Sequence, residues 1–104
     1  MSQKIRIEID SGLSDLIPAF LERKRGDLNS IVSNSRFGNF EAIATTAHRF
    51  IGEGGSFGLD AITEAGRKIE AAAKARQAKH CETLALQLLT YLASIEIVYA
   101  AKDE

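Results

Sequence analysis

The 104-residue sequence contains no tryptophan, a single cysteine (Cys81), one proline and one methionine. One cysteine excludes an internal disulfide framework. Cys81 falls in an apolar helical stretch and reads as a buried structural thiol. No apolar run is long enough to span a membrane, and the N-terminus lacks a stretch of signal-peptide type. No repeat or low-complexity segment interrupts the chain. The expectation is a reduced, cytoplasmic, soluble protein. An excess of one charge is missing too: 13 Lys and Arg stand against 14 Asp and Glu, for a net charge of −1. Without a broad basic field, neither nucleic acid nor a membrane is an expected partner. The local basic groups (Arg23, Lys24, Arg25; Lys68; Lys74, Arg76, Lys79) lie at helical spacing and read as solvated faces. No glycine-rich phosphate loop follows a strand, which excludes a P-loop nucleotide binder. His80 adjoins Cys81, but without further Cys or His nearby no metal site is expected.

What is present is ordinary for one globular domain: 45% hydrophobic and 26% charged residues. Lys4 to Asp10 alternate polar and apolar, with Ile5, Ile7 and Ile9 on one side, a strand-like period. No second run presents itself as a pairing partner. Residues 1–12 therefore read as an extended N-terminal arm, and residues 13–101 as a helical bundle. Leu13, Leu16, Ile17, Phe20, Leu21, Leu28, Ile31 and Val32 share one helical face, with Ser14 as expected N-cap and Pro18 in the first turn. Gly38 and Asn39 read as a helix stop and the next cap. Phe40, Ile43, Ala47, Phe50, Gly54 and Phe57 then form a core stripe ending at Gly58. A third helix turns Ile62, Ala65, Ile69, Ala72 and Ala73 inward. A fourth carries Leu84, Leu88, Tyr91, Ile95 and Val98. Short connections favour antiparallel neighbours, so the predicted fold is all-α, an up-down four-helix bundle.

His48 stands out on the second helix. At about 100° per residue it points roughly 130° away from the core stripe, toward solvent. Ala44, Thr45, Gly52, Gly55 and Ser56 share its direction, and all are small. Each interior glycine costs about 1 kcal/mol relative to alanine, so the cluster asks for a compensating reason. Close approach of a partner surface is one reason, and close packing of a neighbouring helix on Gly54 is another. Histidine has an ordinary pKa of about 6.5, which leaves the ring mostly neutral near pH 7. Such a ring nitrogen is a competent nucleophile toward phosphorus.

The run from Ala47 through His48-Arg49-Phe50-Ile51-Gly52-Glu53-Gly54-Gly55-Ser56-Phe57-Gly58 to Leu59 resembles the signature of histidine-phosphotransfer (HPt) domains. Asp15 to Leu21 resembles that family's first helix, and Ala65 to Ala73, with Ile69-Glu70, the helix after the signature. The resemblance covers most of residues 10–99. It implies a helical bundle that accepts a phosphoryl group on histidine and passes it to or from a receiver-domain aspartate. The implied partners are a response-regulator receiver domain, a hybrid sensor histidine kinase, or both. It implies a phosphocarrier intermediate rather than an ATP-using kinase. No cofactor of its own is implied, because the magnesium ion belongs to the receiver. His48 is the implied phosphoacceptor, with Ala44, Thr45, Arg49, Ile51, Gly52, Gly55 and Ser56 as the expected docking surface. The family usually has lysine where this chain has Ile51. That departure keeps open a degenerate module that binds receiver or kinase domains without being phosphorylated. A structural bundle associating through the arm at residues 5–9 is the third reading.

Overall fold

The computed structural model describes residues 4–101, so residues 1–3 of the expected arm lie outside the described residues. The chain forms β1 (Ile5–Asp10), a 3-10 turn (Ser11–Leu13), α1 (Ile17–Phe37), α2 (Phe40–Ser56), α3 (Asp60–Lys74), α4 (Ala78–Ser94) and β2 (Ile95–Ala100). The connections between helices are two or three residues long, and the four helices form the predicted up-down bundle. The most extensive packing joins α2 to α3 and α1 to α4. Phe20, Phe50, Ile31, Ile43, Ile62 and Ile69 are fully buried between them, and Phe20 stacks on Phe57 with ring centroids 4.2 Å apart. Cys81 is buried as expected, and burial pushes its thiol pKa up, away from thiolate reactivity.

The helix boundaries follow local chemistry. Pro18 occupies the first turn of α1, where its missing N–H leaves no bond unmade. Gly38 ends α1 at φ +71°, and the N–H groups of Gly38 and Asn39 donate back to Ser35 and Asn34 carbonyls. Gly58 closes the α2–α3 turn at the same φ. Two predicted caps differ. Ser14 precedes the helix by a turn, and the cap-position residue is Leu16; instead, Asp10 caps the 3-10 turn by accepting the Gly12 N–H at 2.8 Å. Asn39 holds the N-cap position of α2, but its side-chain amide donates to Asn34 Oδ1 at 3.1 Å and caps nothing.

The strand-like arm does have a partner. β2 runs parallel to β1 in a two-stranded sheet, with Ile5 opposite Ile95, Ile7 opposite Ile97 and Ile9 opposite Tyr99. Ile95 and Val98 therefore leave the helical stripe predicted for them. Their spacing also fits a helix, but the β-branched run Ile95-Glu96-Ile97-Val98 suits a pleated ribbon once a neighbouring strand is supplied. On α3, Gly66 rather than Ala65 is the fully buried member of the inner face. A Cβ at Gly66 would lie 2.8 Å from the Ala47 carbonyl oxygen and 2.8 Å from Phe50 Cβ, so its absence sets how closely α2 and α3 approach.

Lys24 also departs from expectation. It is not on a solvated face but 1% exposed between α1 and α2. Its Nζ donates to Glu53 at 2.6 Å, pairs with Asp27 at 2.8 Å and lies 4.6 Å from the centroid of the Phe50 ring. Two carboxylates and an aromatic face compensate the ammonium for lost water. The other basic residues named above remain at the surface.

Candidate phosphoacceptor site

The inward stripe of α2 (Ile43, Ala47, Phe50 and Gly54) is buried, which turns the opposite face to solvent. His48 stands on that face with its side chain 73% exposed. Its Nδ1 lies 2.9 Å from Oε2 of Glu70, which α3 carries across from it. A carboxylate can only accept, so Nδ1 bears the hydrogen in this pair. In the neutral ring Nε2 is then the bare nitrogen with its lone pair free. Glu70 is largely covered, and the same oxygen lies 3.7 Å from Lys74 Nζ one turn further along α3.

His48 divides two shallow grooves. One is lined by Arg49, Ile51, Gly52, Glu53, Ser56 and Phe57; the other by Ala44, Thr45, Arg49 and Glu70. The structure thus brings Ala44, Thr45, Arg49, Ile51, Gly52 and Ser56 around His48. Gly55 lines neither groove, but it is exposed on the same helix. A Cβ at Gly52 or Gly55 would meet nothing within 4 Å, whereas one at Gly54 would lie 2.6 Å from the Thr63 backbone nitrogen and 2.8 Å from the Leu59 carbonyl oxygen. Packing of α3 therefore accounts for Gly54, whereas no neighbouring element among the described residues crowds Gly52 or Gly55.

Apart from Glu70 and Lys74, the charged neighbours on α2 are engaged with α1. Arg49 lies 3.8 Å from Asp27 on α1, and Glu53 is committed to Lys24. Ile51 is half-buried at the groove wall and supplies no cation. Its backbone carbonyl accepts the Thr63 hydroxyl at 3.0 Å, a further tie between α2 and α3. Glu70 is the site residue that sequence reasoning missed as a contact of His48. The signal was a carboxylate directly after the inward Ile69, but recognising its target requires the relative position of the two helices.

A family model for the Hpt domain matches residues 15–97. Searches of curated proteins and of solved structures gave no match. None of the described helices is long and apolar enough to cross a membrane.

Proposed function

This chain belongs to the Hpt domain family, and from that membership we propose that it accepts a phosphoryl group on Nε2 of His48 and relays it to or from a receiver-domain aspartate. The observation that carries the reading is the exposed imidazole whose Nδ1 is engaged by Glu70 and whose Nε2 is left free. In the forward step the Nε2 lone pair forms the N–P bond while the P–O bond of an aspartyl phosphate breaks, and aspartate leaves as a carboxylate. The ring then carries positive charge, with its hydrogen still on Nδ1 against Glu70. The carboxylate holds the reactive tautomer before the step and stabilises the charge that develops during it. Reversal of the same step loads a receiver. Phosphoryl transfer requires chiefly in-line positioning and charge stabilisation, and a protruding ring between two shallow grooves leaves room for the partner to supply both.

Incubation with a phosphorylated receiver tests this. Acid-labile, base-stable label is expected on the wild-type chain and none on His48→Ala. An unlabelled wild type, or an equally labelled variant, would sink the proposal. Ile51 favours a second reading, a module that docks without accepting phosphate, because the groove beside the ring has an aliphatic wall where the family usually has an ammonium. Gain of label only in Ile51→Lys would establish that second reading instead.

A further inference from the structure

The sheet formed by β1 and β2 has two strands, and among the described residues each has a neighbour on one edge only. The apolar face of this pair is seated on the bundle core through Ile9, 3% exposed, with Ile7, Ile95 and Ile97 packed beside it, so the pair is held by that face and not by its edges. Ile5, on its apolar face, remains 44% exposed. The residues along β1 and just before it read Lys4-Ile5-Arg6-Ile7-Glu8-Ile9-Asp10. Among the described residues no ion pair engages Lys4, Arg6 or Glu8. Asp10 uses one carboxylate oxygen on the Gly12 N–H.

That sequence is complementary to itself when reversed. We propose that the free edge of β1 pairs antiparallel with β1 of a second copy of this chain, about a twofold axis through Ile7, giving the strand order β2-β1-β1-β2. In this register Ile7 faces Ile7, and the exposed Ile5 faces Ile9 of the second copy. On the other face Arg6 lies opposite Glu8 and Lys4 opposite Asp10, each twice by symmetry. Residues directly opposite in an antiparallel pair share a face, so the apolar and charged sets stay separate. The neighbouring registers that keep the faces aligned are poorer in charge: one sets Arg6 against Arg6 and the other Glu8 against Glu8, each with two opposite-charge pairs in place of four. The free edge of β2 offers no such match, since pairing about Ile97 sets Glu96 against Val98. A twofold pairing also closes, using both β1 edges and leaving the phosphoacceptor helix uninvolved. The pairing is independent of the phosphotransfer reading.

Sedimentation velocity of the full chain over a concentration series should show a monomer–dimer equilibrium. Glu8→Arg sets arginine against arginine twice and should weaken self-association at least about tenfold. Arg6→Glu should do the same, while an equal mixture of the two variants should recover dimers, since one arginine-rich strand then meets one glutamate-rich strand. Ile7→Cys should form an intermolecular disulfide on mild oxidation, because opposed residues in such a pair lie about 4.5–5.5 Å apart at Cα, within disulfide range. Ile97→Cys should not crosslink. A wild type monomeric at every concentration, open-ended polymers, or undiminished dimers in folded Glu8→Arg would overturn the proposal. So would crosslinking at residue 97 but not at residue 7. The crosslink in Ile7→Cys is read independently of the charge variants, so a misfolded Arg6→Glu chain leaves the question decidable.

Discussion

Helix α2 carries Gly52, Gly54 and Gly55 within four residues, and they sit in opposite surroundings. Gly54 is buried against Thr63 and Leu59, where a Cβ cannot fit beside backbone atoms. Gly52 and Gly55 face open space. The residue type is the same, but on the inner face it sets the distance between α2 and α3. On the outer face it keeps the surface around His48 low. The inner face holds the helix in place; the outer face gives up helix propensity and leaves access to the ring. Glu53 and Lys24 stand at the boundary, where α2 meets α1.

Substitutions that treat the two faces alike should therefore diverge. Gly54→Ala should be the most damaging, because two of the obstructing atoms, the Thr63 nitrogen and the Leu59 carbonyl oxygen, are backbone and cannot rotate aside, and the Thr63 hydroxyl beside them is tied to the Ile51 carbonyl. A loss of about 3 kcal/mol is expected in denaturant unfolding. Glu53→Ala removes the closest partner of a buried ammonium. Asp27 remains, so a smaller loss of about 2 kcal/mol is expected by the same measurement. On the outer face, Glu70→Ala should leave stability nearly unchanged and slow phosphoryl transfer to His48 by about tenfold, equivalent to about 1.4 kcal/mol of a charge-assisted contact. Glu70→Gln keeps an acceptor but no charge, and should recover part of that rate. Gly55→Ala should show the smallest effect and the opposite sign, raising stability by about 0.4–1 kcal/mol through the unfolded chain. Equal destabilisation by Gly54→Ala and Gly55→Ala would break the contrast between the faces.

The helical stripes are legible in the sequence because burial repeats with the local period of the helix. The same period turns His48 outward, and Gly38 and Gly58 mark the stops through their freedom at positive φ. Ala65 reads as inward where Gly66 is the buried residue, because small residues give a weak periodic signal and contact between α2 and α3 decides among them. Lys24 reads as solvated because charge is the dominant sequence signal for a surface. Its burial depends on Glu53, 29 residues away, and on an aromatic ring of another helix.

The sequence by itself therefore determined the four-helix architecture and the presentation of His48, since both follow from patterns repeating every three or four residues. The tertiary structure decided which ring nitrogen is left free, because Glu70 is 22 residues from His48 and meets it only once α3 lies against α2. It also decided that the isoleucine-rich arm is a paired strand, since parallel pairing with β2 spans nearly the whole chain and no local period encodes it.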